Sequence, residues 1–568
     1  MDRFKIAFMF FLLAVTIVTT SWIKHNYRIH GPDATKHQFA QLKFSHDLSR
    51  IIDSSLNIPA RIKKTVWLLS EPVQDIGFTG NLYWPNGTYF VTSLFQILYG
   101  RTLFVSRISM LFFFLIAAVA TFSIADRLGG KRAAFYSAVF LFFYPLIYES
   151  LTQYTLDLPL TAMVCLSILC LMKSNFFQRR SFSFLAGVIS GIGMLCKGQE
   201  AIFLFFPVLW VLAGAFFPRK EEKNLADAKN MIVNIVLFLI PVILISSIWW
   251  GDRKSIEFII VNLKGELSSL KFEEASILSG AKGRYSLPQI SFYLTNCFRD
   301  SMSPVPFIIF LCAVFSLLKN GFYRSFKEWM IVALWIIPPI IVFSLFFSYQ
   351  SPRLLMPILP AFAIVTAVGI GQVQKKVIRY GAIGALCCSG LFNFVSFQQE
   401  LSFRLGSITI PLPRTAYTFG REKEEWWDAL KGRLQALRLR EDSYVGVIAV
   451  NGRDVFDYMY KLKLIEPSLL YVDLLGISKG NSLVDYFRGF PLIIVVSGAP
   501  DIPFGEALIQ VLKTRYHKQF QLNFVVQGGG ARFFELKEIA WGIPRYFYQY
   551  EQIRLRDCWV TFFRNKRL

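Results

Sequence analysis

At 568 residues the chain has room for more than one domain, and 54% hydrophobic against 17% charged content excludes an ordinary soluble globular protein and points to the membrane class. The net charge of +23 is of the kind that polyphosphates attract. Outside the C-terminal stretch, however, most of the basic residues fall in short loops between apolar runs, which reads as membrane topology rather than as a nucleic-acid surface.

The first apolar run, KIAFMFFLLAVTIVTTSWI from Lys5 to Ile23, has no interior charge, and its length and lack of a small-x-small cleavage site read as an uncleaved anchor. Further apolar windows fall near 103 to 125, 133 to 150, 157 to 173, 182 to 196, 200 to 217, 230 to 250, 303 to 318, 327 to 348, 353 to 372 and 376 to 397, for about eleven transmembrane helices. The segments 126 to 132, 173 to 180, 219 to 229, 319 to 327 and 375 to 379 carry three or four basic residues each and alternate along the chain. By the positive-inside rule these loops and the N-terminus are cytoplasmic. The loops 24 to 102 and 251 to 302 and the turns near 151, 197 and 349 are then outside, as is everything after the last span. The expected fold is therefore a polytopic α-helical membrane domain, 1 to 399, of an inner or plasma membrane.

From residue 400 the composition is that of a soluble domain. The amphipathic run REKEEWWDALKGRLQALRLRED is followed by strand-like YVGVIAV, helix-like VFDYMYKLKL, strand-like PLIIVVSG and helix-like FGEALIQVLKTRY, which predicts an extracytoplasmic α/β domain over 400 to 568. Gly528, Gly529 and Gly530 form a glycine-rich turn without a phosphate-binding lysine pattern. The eight cysteines show no CxxC or Cys/His metal spacing, and five histidines argue against a zinc site but leave a carboxylate-bound divalent cation such as magnesium or manganese open as a cofactor.

Ionisable residues at the ends of apolar spans are costly and are retained for function more often than by chance. Four fall on the outer face in this topology: Asp33 in GPDATKHQFAQ, Asp157 in YESLTQYTLDLPLTAM, Lys197 in GMLCKGQEA and Arg353 in FSYQSPRLLMPILPA. Two acids and two bases converging at one interface suit a group transfer with a lipid phosphate as leaving group. Asp33 is the candidate general base, taking a hydroxyl proton as that oxygen attacks an anomeric carbon. Arg353 and Lys197 would hold the phosphate, arginine through paired hydrogen bonds and lysine as a point charge. Asp157 would orient the acceptor, pair with a base or help to bind a divalent cation. Taken singly, each residue has a plainer reading: a snorkelling lysine or arginine, an N-capping aspartate at 157, a turn residue at 33. The adjacent His46 and Asp47 point apart on a helix and read as a solvated face.

These stretches resemble the C-type glycosyltransferases, in the bacterial branch related to protein O-mannosyltransferases and the lipid A aminoarabinose transferase. The resemblance covers roughly the first 400 residues and rests on the order of WPNGTYFVTSLFQILYGRTLFVSRISMLFF, DRLGGKRAAFYSAVFLFFYPLIYESLTQYTLDLPLTA and LAGVISGIGMLCKGQEAIFLFFPVLW. It implies inverting transfer from a polyprenyl-phosphate sugar donor to an extracytoplasmic acceptor, with membrane lipids as surroundings. Asp33 takes the place of the acid in the family's first external loop, with Asp47 as the fallback. Asp157 matches the acid after the third span, Lys197 the lysine of a TKG-like turn, and Arg353 the base before a PxLP-like segment. The run Trp84-Pro85-Asn86-Gly87 departs from the family's YPPL-like run, and Ala34 and His37 depart from its DExxY-like motif. Two other readings stay open: a transporter or lipid flippase, and a non-catalytic assembly protein of the same fold.

Overall fold

The computed structural model describes residues 2–25, 31–71, 84–216, 225–251, 257, 287–296, 301–320, 325–347 and 351–399, and in the C-terminal region the strands alone. The chain divides into two compact units, Met1–Asn26 with Ala40–Val73 and Tyr83–Arg421, and Tyr27–Phe39 with Gln74–Leu82 and Glu422–Leu568.

The first unit is helical: α1 (Arg3–His25), α2 (Gly31–Ile52, its start in the second unit), α3 (Ile58–Ser70), α4 (Gly87–Tyr99), α5 (Leu103–Phe143), α6 (Pro145–Thr152), α7 (Asp157–Lys173), α8 (Arg180–Cys196), α9 (Glu200–Phe216), α10 (Leu225–Trp250), α11 (Leu287–Asn296), α12 (Pro304–Asn320), α13 (Phe326–Phe346), a 3-10 helix (Pro352–Ile358), α14 (Leu359–Gly371) and α15 (Lys376–Gln399). A hairpin follows, β1 (Ser402–Leu405) antiparallel to β2 (Ile408–Pro411). Among the described residues six helices are long and apolar enough to cross a membrane, and three shorter ones, within α8, α9 and α12, are apolar.

Burial sorts these helices into layers. Every residue of α14 from Leu359 to Ile370 is buried, as is α7 apart from Leu166 and Lys173, so these apolar cylinders form the interior. In contrast, α10 exposes Ile232, Val236, Ile240 and Leu244 at every fourth position, and α1 exposes Phe10, Leu13 and Ile17. Such stripes are what hydrocarbon covers. Between the layers, α5 packs on α7, α14 and α1, α8 on α7 and α10, and α9 on α13.

The sequence reading differs from the structure at three places. The windows near 103 and 133 are joined as α5, broken only at Gly130, whose φ of 76° and ψ of 174° no side-chain-bearing residue adopts readily. The second window ends at Phe143, and Pro145 starts the separate α6, because proline is welcome in a first turn but not in a helix interior. The segment 24 to 102 holds three helices among its described residues: α2 and α3 carry too much charge to read as spans, and the uncharged α4, at 13 residues, is too short for one.

One end of the bundle is laced by charge. Lys131 Nζ lies 2.7 Å from Asp2 Oδ2, Arg127 Nη2 lies 2.6 Å from Glu328 Oε1, and Lys327 Nζ stands 5.2 Å from the centre of the Phe176 ring. The hydrogen bond from Lys131 holds the Asp2 carboxyl below the usual carboxylate range. These contacts bring the N-terminus and the basic turns 126 to 132, 173 to 180 and 319 to 327 to the same end, as their alternation along the chain requires.

In the second unit five strands, β3 (Tyr444–Ala449), β4 (Leu470–Asp473), β5 (Leu492–Ser497), β6 (Phe547–Leu555) and β7 (Cys558–Asn565), form one sheet in the order β4-β3-β5-β7-β6. The pairs β4/β3 and β3/β5 are parallel, with Val445 opposite Tyr471 and Leu492, and β5/β7 and β7/β6 are antiparallel. Parallel neighbours need crossover connections, the topology that alternating strand-like and helix-like runs predict. The helix-like runs and Gly528–Gly530 lie outside the described residues.

Gly130→Ala is expected to lower stability by about 1–3 kcal/mol through backbone strain alone, since a methyl group there would meet nothing within 4 Å. Thermal unfolding of the detergent-solubilised chain measures this, and an unchanged midpoint would contradict the strained turn.

Candidate functional site

At the end opposite the basic turns, equal helix lengths do the positioning. Helices α7 and α8 each have 17 residues and are joined by the turn at Ser174–Arg179, so the last residue of α8 returns to the level of the first residue of α7. Asp157 opens α7 and Lys197 follows α8 as its C-cap. Both ends suit their charges, because a helix N-terminus favours an anion and a C-terminus a cation.

The two side chains meet. Lys197 Nζ donates to Asp157 Oδ1 at 2.6 Å, with side-chain exposures of 10% and 5%. Arg353, near the start of the 3-10 helix that packs on α7, brings Nη1 to 3.7 Å from Asp157 Oδ2, an ion pair too long for a hydrogen bond. One carboxylate thus faces two cations through different oxygens. The arrangement is suited to receiving an anion and to stabilising negative charge as it develops.

The turn that carries Lys197 is held from several sides. Lys197 N–H closes the last turn of α8 on Gly193 O at 2.9 Å, and Glu200 N–H returns to Lys197 O at 3.1 Å. Trp250, the last residue of α10, donates Nε1–H to Met194 O at 3.1 Å. The Trp84 ring centre stands 5.9 Å from Lys197 Nζ, within reach of a cation–π contact. On the Asp157 side, the Tyr154 hydroxyl pairs with Thr92 Oγ1 at 2.6 Å, and burial keeps that phenol well above its ordinary pKa.

Of the residues expected from sequence, Asp157, Lys197 and Arg353 are therefore brought together. Asp33 is the third residue of α2, and its side chain lies outside the described residues. Asp47 is half-buried on the same helix and makes no hydrogen bond or ion pair among the described residues, while its neighbour His46 turns Nδ1 to Arg101 Nη1 at 3.1 Å. No group of three His, Cys, Asp or Glu side chains fit for a metal ion occurs among the described residues, and Asp157, engaged by two cations, is poorly placed to serve one.

The sequence reading passed over three residues. Trp84 and Asn86 stood out only as a departure from the YPPL-like run, with no role attached. Glu200 carried a readable signal: it is an acid opening an apolar span, and it is fully buried, accepting a hydrogen bond from Ser167 Oγ at 3.1 Å, with Ser190 Oγ 3.3 Å from that hydroxyl. It ties α7, α8 and α9 together beneath the ion pair.

Lys197→Met is expected to destabilise the bundle by about 3 kcal/mol or more by removing the close partner of the buried Asp157, and Asp157→Asn similarly by removing the carboxylate that Lys197 bonds. In the double variant the losses should be clearly less than additive. Unfolding midpoints of the four proteins give the coupling, and simple additivity would mean that the pair does not interact.

Comparison with known proteins agrees with this organisation. Residues 85–250 match the family model described as dolichyl-phosphate-mannose-protein mannosyltransferase, a stretch that includes Asp157 and Lys197 but not Arg353. No curated protein sequence matches the chain. Among solved structures, ArnT from Cupriavidus metallidurans bound to undecaprenyl phosphate aligns with a TM-score of 0.58 over 98% of both chains at 13% identity. The same protein in its apo state gives 0.57, also over 98% of both chains at 13% identity. The archaeal oligosaccharyltransferase AglB from Archaeoglobus fulgidus aligns with a TM-score of 0.47 at 13% identity, over 87% of this chain and 70% of that one. Residues 85–250 are thus similar to that mannosyltransferase family, and the chain shares the fold of ArnT.

Proposed function

We propose that the chain transfers a sugar from a polyprenyl-phosphate donor to an extracytoplasmic acceptor, with inversion at the anomeric carbon. The observation that carries this reading is the buried Asp157–Lys197–Arg353 cluster, in which two cationic side chains converge on one carboxylate. The similarity in fold to a protein whose structure holds undecaprenyl phosphate supports the same class of donor.

In the reaction, an acceptor hydroxyl gives its proton to the Asp33 carboxylate as its oxygen forms a bond to the anomeric carbon. The bond from that carbon to the phosphate oxygen breaks, and its electron pair stays on the lipid phosphate. Lys197 and Arg353 stabilise the growing charge, so no acid is needed at the leaving group. Asp157 keeps the two cations apart and oriented, and it restrains their charge until the phosphate competes for them.

In this reading the charge-laced end is cytoplasmic, and the ion-pair cluster and the 400 to 568 domain face outward. Cysteine probes at positions 131 and 353 should therefore label from opposite sides of sealed vesicles, and labelling from one side would overturn the shared outer site.

The decisive measurement is transfer of labelled sugar from a polyprenyl-phosphate donor by purified protein. Asp33→Asn should abolish transfer while leaving donor binding intact. Arg353→Ala should weaken binding of polyprenyl phosphate by about tenfold or more, the worth of one charge-assisted contact. Full transfer by Asp33→Asn would remove Asp33 as the base, and unaltered lipid binding by Arg353→Ala would remove the phosphate assignment. Magnesium or manganese restoring activity lost to a chelator would establish the cation.

A further inference from the structure

Asn86 stands at the N-cap of α4, where asparagine ordinarily caps its own helix, yet its side chain makes no such bond. Its amide is instead turned to the preceding helix. Nδ2 donates to Glu71 O at 2.6 Å and to Leu68 O at 3.1 Å, the carbonyls at the C-terminal end of α3. Asn86 is fully buried, so these donations are made away from water, where they are strongest.

The residues on either side of Asn86 meet the turn that carries Lys197. Trp84 presents its ring to the Lys197 ammonium at 5.9 Å. Gly87 lies so close to the α8 terminus that a β-carbon there would come within 2.7 Å of Leu195 O, so only glycine allows the approach. One turn further along α4, Thr92 holds the Tyr154 hydroxyl, three residues before Asp157. The first two turns of α4 therefore touch the segments that carry both partners of the ion pair, at Leu195 and at Tyr154. Beyond them, α3 has no buried residue and exposes Ile58, Ile62 and Trp67.

We propose that Asn86 is a positioning residue that fastens α3 to the Trp84–Gly87 turn, and that Trp84 in turn holds the Lys197 ammonium against Asp157. The outer helix α3 and the phosphate-binding cation then move as one body. The catalytic meaning of this rests on the sugar-transfer reading, but the coupling is measurable without it.

The test is the rate at which an amine-reactive reagent labels Lys197 in the full-length detergent-solubilised chain, read by peptide mass spectrometry against the other lysines. Asp157→Asn, as the reference for a released ammonium, should raise the rate. Trp84→Leu and Asn86→Ala should each raise it about fivefold, the scale of a partly desolvated cation–π contact, and Trp84→Phe should stay near wild type. The Trp84→Leu/Asn86→Ala double variant should exceed the larger single effect by little, because both release the same hold. Asn86→Asp matches asparagine in shape but sets a carboxylate against two carbonyls, so it should exceed Asn86→Ala. A filler role for Asn86 predicts instead that Asp behaves as wild type.

Wild-type labelling of Lys197 in Asn86→Ala while Asp157→Asn raises it would overturn the proposal, as would equal rates in Trp84→Leu and Trp84→Phe. A rate unmoved even by Asp157→Asn would remove the pair and the proposal with it. Since labelling does not depend on turnover, a chain that shows the expected pattern yet transfers no sugar would sink the functional reading and leave the coupling standing.

Discussion

The hydrogen bond from Lys197 to Asp157 is the interaction on which the end of the bundle opposite the basic turns depends. Alone, either charge would be intolerable at the edge of hydrocarbon; together, at 2.6 Å and nearly buried, they hold the start of α7 against the end of α8. Arg353 at 3.7 Å brings a third segment of chain to the same carboxylate. A buried salt bridge on its own is weak evidence for either stability or function. What makes this one informative is that two cationic side chains from different segments converge on one acid.

Support for that cluster extends in two directions. Inward, Glu200, Ser167 and Ser190 join α7, α8 and α9 by hydrogen bonds within the apolar interior. Outward, Trp84, Gly87 and Trp250 clamp the turn at Lys197 from α4 and α10. Groups that hold a charge in a fixed place before an anion arrives lower the reorganisation that binding would otherwise demand. At the opposite end, the ion pairs of Arg127 with Glu328 and Lys131 with Asp2 are more exposed and serve chiefly to tie turns together.

Much of the membrane domain was legible in the sequence because lipid imposes a simple rule: apolar runs, and charge where they stop. The start of α7 at Asp157 and the break between α8 and α9 around Lys197 coincide with the expected span ends for this reason. Helices α2 and α3 do not read as spans because of their charge, and α4 because of its 13-residue length. The 3-10 turn at Arg353 follows from Pro352 and Pro357, which hydropathy ignores. Trp84 and Asn86 owe their places to contacts 113 and 15 to 18 residues away in sequence, for which a single chain carries no mark. Glu200, in contrast, was readable as an acid opening an apolar run. Asp33, the proposed base, lies in α2, but its side chain is outside what the structure describes.

The matched lengths of α7 and α8 have a further consequence. Seventeen residues of α-helix rise only about 25 Å, whereas the hydrocarbon core of a typical bilayer is about 30 Å thick. Because α7 is covered on nearly every side by neighbouring helices, its shortfall is met within the protein rather than by the surrounding lipid. The level at which Asp157 and Lys197 meet inside the bundle is therefore fixed by a residue count alone.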